Sequence, residues 1–299
     1  MPPKTLKLLT FGLISLVIAL VVSFAIEIPY LKAYNLVHPE HKPLNRFPKD
    51  VGIDEYEDVQ FVTSDGLTLK GWYIAPKNGA VVIFVHGLGA DRLDLLDEAG
   101  FIVAEGYGAL LFELRAHGES EGRVSTLGYY EPRDVHAAVD FVQHRAGSAT
   151  LLALFGHSMG AGTTLLAATQ IPAIHAVIVE SAFTTLEDNI SDGVKALTGL
   201  PSFPFAPLIV FFCERETGVD LRSVRPIDVV GQISPSAVLF IHGARDGTIP
   251  VRNAQALYAA AKEPKQLYIL PGAGHGGFLQ AEPEIFPKTI LTFLKTSLK

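Results

Sequence analysis

Gly156-His157-Ser158-Met159-Gly160 sets a serine between two glycines, after the apolar run Leu151 to Phe155 and before the helical-looking Ala161 to Ala168. Strand, sharp turn, helix is the setting in which a G-x-S-x-G pattern exposes a serine hydroxyl at the end of a strand. A side chain at either glycine would strike the neighbouring strand or helix. Serine is a weak nucleophile at neutral pH, so the pattern demands a base and a group to orient that base. Of ten histidines, His275 stands out, in the loop Pro271-Gly272-Ala273-Gly274-His275-Gly276-Gly277 after the last expected strand. A histidine amid glycines at a strand's C-terminal end gains nothing from core packing and sits where ligands approach an open α/β sheet. The orienting acid is expected between serine and histidine in chain order. Asp246, just after the run ending Phe240-Ile241-His242, fits that place, and Glu180 at the end of the strand after the elbow helix is its competitor. An oxyanion needs two backbone donors, for which the N–H of Met159 and that of Leu88 in His86-Gly87-Leu88-Gly89 are the candidates. His86 and His157 read as residues that stiffen their loops. No ligand pair among His86, His117, His157 and His242 has useful spacing, so no metal is expected.

These groups need a frame. Gln60 to Ile74 alternates around Ser64-Asp65-Gly66, which reads as a β-hairpin. Short apolar runs then alternate with helical spacing. Strands are expected at Ala80 to Val85, Gly108 to Leu114, Leu151 to Phe155, Ala176 to Val179, Ala237 to Ile241 and Gln266 to Leu270. Helices are expected at Leu93 to Glu105, Pro132 to Arg145, after the elbow, at Asn253 to Ala261 and from Pro283 to Leu298. This is an α/β pattern: a mostly parallel sheet of about eight strands covered by helices on both faces. Thr184 to Ser234 breaks the alternation with Pro201, Pro204, Pro207 and the aromatic set Phe203, Phe205, Phe211 and Phe212. A long interval of this kind is functional or has its own small structure. It reads as a helical cap (184–234) over the site, or as an insertion that only shields core.

At the other end, Leu8 to Ile26 has no charge and follows Lys4 and Lys7. At about 1.5 Å per residue it spans roughly the ~30 Å of a bilayer's hydrocarbon core. Tyr30, Tyr34 and Lys32 suit an interfacial belt beyond it. Residues 1–34 therefore read as a signal-anchor that holds the protein at the membrane through residues 8–26. Small residues at Ser23-Phe24-Ala25 leave a cleaved secretory signal open, and a buried helix is the third reading. The lysines on the short side place the following domain outside the cytoplasm. Residues 35–58 read as a linker and 59–299 as the domain. A net charge of −7 offers no basic patch for nucleic acid, and Cys213, the sole cysteine, excludes an internal disulfide and a cysteine-based zinc site.

With these residues in place, the chain from Asp50 to Lys299 resembles the α/β-hydrolase superfamily, on His86-Gly87, Gly156 to Gly160, Asp246 and His275 in that order. Asp65-Gly66-Leu67 with Gly71-Trp72, Leu114 to Ser120, and Ile241-His242-Gly243 leading to Ile249-Pro250 resemble its serine aminopeptidase and monoglyceride-lipase-like group. That group often has Asp, and Arg-Gly, where Glu113 and Ala116 stand here. The resemblance implies cofactor-free hydrolysis of esters, thioesters or amides of a small-molecule acyl substrate. Ser158, His275 and Asp246 would be the catalytic residues, and Leu88 and Met159 the oxyanion donors. The phenylalanine-rich interval points to an apolar acyl or aromatic ester. An aminopeptidase or amidase, binding a free amine through Glu180 or Glu187, is the alternative, followed by a non-catalytic binding protein.

Overall fold

The computed structural model describes the backbone of residues 3–299; the side chains of residues 3–9, 18–21 and Leu197 lie outside the description, and with them those of Lys4, Lys7 and Leu8. Helix α1 (Pro3–Val37) leads, and a single 3-10 turn (Pro48–Val51) separates it from the sheet. Strands β1 (Glu57–Val62), β2 (Thr68–Ile74) and β3 (Ala80–Val85) precede α2 (Leu96–Ala104) and β4 (Gly108–Phe112). Then come α3 (Glu131–Ala146), β5 (Leu151–His157), α4 (Met159–Ala168) and β6 (Ile174–Glu180). The interval after β6 folds as α5 (Leu186–Thr198), α6 (Ser202–Thr217) and the short α7 (Pro226–Val229). The chain closes with β7 (Ala237–Gly243), α8 (Arg252–Ala260), β8 (Lys265–Leu270), α9 (Phe278–Ala281) and α10 (Ile285–Ser297).

The eight strands form one sheet in the order β1-β2-β4-β3-β5-β6-β7-β8, antiparallel across β1-β2 and β2-β4 and parallel elsewhere. β3, β4 and β7 are buried at every position, which is why they read as unbroken apolar runs rather than alternating ones. β3 sends Val81, Ile83 and Val85 into one core layer and Val82 and Phe84 into the other. α3 and α4 cover the first face, and α2 and α10 the second. Chain order reverses around β3, which lies between β4 and β5. The crevice outside the carboxyl ends at such a switch point is where open α/β sheets hold ligands.

Two differences from the sequence reading bear on the site. α2 begins at Leu96 rather than Leu93, because Asp91 turns the chain by accepting the Leu93 N–H, which frees Asp94 to face the elbow. α1 crosses the expected boundary at residue 34 and runs on to Val37, with Ala33 and Val37 fully buried in the main core. Its tail packs along α6, where the Cys213 thiol approaches the Ala33 carbonyl and Tyr30 meets Phe212 edge-on at 5.5 Å. By length and composition Thr10–Val37 is apolar enough to cross a membrane.

Candidate active site

Ser158 joins β5 to α4 at φ 53°, ψ −117°, in backbone space that L-residues avoid. Its N–H is tied to the Glu180 carbonyl at 2.9 Å, and its carbonyl accepts the Gly162 N–H at 3.1 Å. The neighbouring glycines permit this turn through close approach. A Cβ on Gly160 would lie 2.1 Å from the Val85 carbonyl oxygen, and one on Gly156 2.5 Å from that of Gly160. The serine is thus thrust out because the elbow is wedged against β3.

His275 Nε2 lies 2.9 Å from Ser158 Oγ, and His275 Nδ1 lies 2.9 Å from Asp246 Oδ2. The other Asp246 oxygen accepts the N–H groups of Thr248 and Ile249, at 2.8 Å each. Burial would raise the Asp246 carboxyl, but hydrogen bonds from His242 and His275 and the Ile249 N–H outweigh it and hold the carboxyl far below its ordinary range. A Cβ on Gly243 would come within 2.0 Å of the Gly274 carbonyl oxygen, so the end of β7 and the histidine loop pack backbone on backbone. Glu180 makes no hydrogen bond to His275; its side chain is buried behind the elbow, and Oε1 has no partner.

A second histidine–carboxylate pair stands beside the first. His157 Nδ1 lies 2.9 Å from Asp94 Oδ2, and His157 Nε2 lies 2.9 Å from the carbonyl of His275. A carboxylate and a carbonyl both accept, so both ring nitrogens of His157 must donate and the ring is an imidazolium. Burial would neutralise the pair, yet their mutual hydrogen bond and charge hold His157 up at about 10 and Asp94 down at about 2. Asp94 also accepts the Gly87 N–H at 2.8 Å. One ion pair thereby ties the His86–Gly89 loop to the loop of His275. Burial, together with the charge of Asp94, pushes nearby Glu98 up to about 7 and raises Glu180 as well.

Two further histidines, His86 and His117, have the opposite state. His86 accepts the Leu114 N–H on Nε2 and donates from Nδ1 to the Gly87 carbonyl. His117 accepts the Gly89 N–H and donates to the Arg115 carbonyl. Each pattern requires a neutral ring, and burial lowers both, His86 to about 3. The loop is thus braced from three sides. Among the described residues, the N–H groups of Leu88 and Met159 have no acceptor, and both residues line the cavity next to Ser158.

That cavity measures about 310 Å³. α5 lends it Leu186, Asn189, Ile190, Gly193 and Val194, one face of a helix at i, i+3, i+4, i+7, i+8. Phe183, Leu127, Met159 and Ile209 add apolar wall, and Lys32 and Leu36 come from α1. The four phenylalanines of α6 contribute nothing to it, contrary to the reading that tied them to the substrate. The inward stripe of α6 is Ala206, Ile209, Val210 and Cys213, at i, i+3, i+4, i+7; Phe211 falls outside it and is 50% exposed, while Phe203, at φ −92° and ψ 132°, lies at a break in the helix and is 78% exposed. Sequence reasoning also missed Asp94, whose partner stands 63 residues on, and the part of α1 in the wall.

Comparison with known proteins gives this geometry a context. Residues 76–223 match the family described as serine aminopeptidase, S33. The Bacillus subtilis protein YqkD is 30% identical over 246 residues, covering 81% of this chain and 80% of its own. YfhR of Escherichia coli K12 is 26% identical over 255 residues, covering 81% of each chain. An esterase of Pyrococcus furiosus superposes with a TM-score of 0.75 at 26% identity, covering 88% of this chain and 99% of its own.

Proposed function

The chain belongs to the serine aminopeptidase S33 family of α/β-hydrolases, and from that premise we propose that it is a serine hydrolase cleaving carboxylic esters through Ser158, His275 and Asp246. The observation that carries this reading is the 2.9 Å and 2.9 Å relay from hydroxyl to imidazole to buried carboxylate, opening on an apolar cavity. Ser158 Oγ attacks the ester carbonyl carbon while His275 Nε2 takes its proton. Asp246 holds the ring tautomer and stabilises the imidazolium without itself being protonated. The oxyanion of the tetrahedral intermediate lies against the N–H groups of Leu88 and Met159. The carbon–oxygen bond to the alcohol then breaks, and the leaving oxygen takes the proton from His275. Water, deprotonated by the same imidazole, attacks the acyl-enzyme and releases the acid. The helices of 184–234 serve as the cap that keeps bulk water from this cavity.

An ester is favoured over a free-amine amide by the wall itself. Among the described residues no carboxylate lines the cavity: Glu180 is sealed behind the elbow and Glu187 is exposed outside it. A panel of acyl esters and aminoacyl amides tests this, and a preference for free-amine amides overturns the ester reading. Ser158→Ala should reduce ester turnover by about 10⁴ to 10⁶ and abolish fluorophosphonate labelling. Residues 8–26 act as an uncleaved anchor with the domain outside the cytoplasm. A mature N-terminus at Ile26 would instead mean cleavage.

A further inference from the structure

The anchor and the cavity share one helix. In the tail of α1, Ala33 and Val37 are buried in the core, the exposed Lys32 and the half-buried Leu36 line the cavity, and Tyr30, Leu31 and Tyr34 are exposed. The helix is continuous from the apolar stretch through Val37. At 1.5 Å per residue, Lys32 stands only about 9 Å and Leu36 about 15 Å beyond Ile26 along the axis. Ile26 is where the uncharged stretch ends, so the cavity wall begins at the depth of lipid headgroups. Tyr30, Tyr34 and the half-exposed Phe211, stacked edge-on against Phe212, form an aromatic surface at that level. This places the outward phenylalanine of α6 against the membrane interface rather than the substrate.

Among the described residues Lys32 is the single lysine or arginine in the cavity wall, its neighbours there are apolar or uncharged apart from the histidine of the relay, and it makes no hydrogen bond or ion pair with any of them. A lysine at this depth serves equally well to reach for headgroups, which requires no cavity. What that role leaves unexplained is its place in the wall of the cavity that Ser158 also lines. A cavity of about 310 Å³ stands at the low end of the roughly 300–1,000 Å³ of ligand sites, room for one chain rather than two.

We propose that the substrate is a bilayer-resident amphiphile with a single ester-linked acyl chain and an anionic headgroup, the chain lying under α5 and the anion pairing with Lys32. This rests on the hydrolase reading above and on α1 remaining in the membrane. The test uses the full chain reconstituted in phosphatidylcholine vesicles, with lysophosphatidylglycerol and lysophosphatidylcholine of one chain length as matched probes and fatty-acid release as the signal. The readout is the ratio of kcat/KM for the two probes within each variant, so a general loss of activity cancels. The parent protein should prefer the anionic probe by about fivefold, the upper end for a partly exposed ion pair. Lys32→Gln should bring the ratio near one, and Lys32→Glu below one. An unchanged ratio in Lys32→Glu overturns the proposal and leaves Lys32 as an interfacial lysine. So does a rate that follows bulk substrate concentration instead of its mole fraction in the vesicle. Release that persists in Ser158→Ala defeats the hydrolase reading instead, so the two failures are distinct.

Discussion

Two histidine–aspartate pairs stand side by side in this molecule, His275 with Asp246 and His157 with Asp94, each with Nδ1 and Oδ2 2.9 Å apart. What separates them is the third partner. His275 faces a serine hydroxyl, which both donates and accepts, so its Nε2 is free to be either base or acid. His157 faces a carbonyl, which only accepts, so its Nε2 must keep its proton. The first pair has the geometry to pass a proton and the second to hold one. The lesson is that the same two side chains make a relay or a clamp according to one atom across the ring.

The largest effects should mark the relay. Asp246→Asn is expected to lower kcat by about 10⁴, since an amide fixes the wrong tautomer of the base. Asp94→Asn should cost far less, on the order of 10², because it misplaces the two loops without removing a reacting group. Fluorophosphonate should still label Ser158 in that variant, and equal losses from the two substitutions would erase the distinction.

Stability against pH reads the clamp together with the buried Glu98 near it. His157 is raised from an ordinary 6.5 to about 10, so its contribution is complete below about pH 6.5 and lost as the pH climbs toward 10. Glu98, raised from 4.5 to about 7, acts in the same direction: its contribution is present below pH 4.5 and lost as the pH passes 7. Denaturant midpoints should therefore fall from pH 6 to pH 10. Glu98→Gln should flatten the part near neutrality, and His157→Gln the part above it. A flat profile in the parent protein would mean that His157 is not cationic. Ala116→Gly touches neither pair and gives the smallest change. Ala116 sits at φ 60°, and relief of that strain should stabilise the fold by about 1 kcal/mol with turnover unaltered.

Much of this arrangement was legible in the chain. Ser158, Asp246 and His275 each follow a strand of the parallel part of the sheet, and parallel strands deliver their following loops to one edge of it. Three loops at one edge must meet, so residue type and order sufficed to bring them together. Asp94 was not legible, because it stands in a polar turn whose only distinction is what lies across from it. The phenylalanines of α6 misled because composition was weighed over phase, and at Phe203 because the helix breaks there. The spacing of Ala206, Ile209, Val210 and Cys213 was in the sequence and names the inward face.

The sequence by itself determined the α/β alternation, the strained serine turn and the set of residues around it, since these rest on local periodicity and backbone sterics. Only the tertiary structure decided which histidine is charged and which helices enclose the cavity. A proton's place depends on whether hydroxyl or carbonyl lies across the ring, and that is set by segments more than a hundred residues apart. The wall supplied by α1 has the same origin. Nothing in Lys32 or Leu36 points to Ser158 until packing of α1 along α6 brings them to the same cavity.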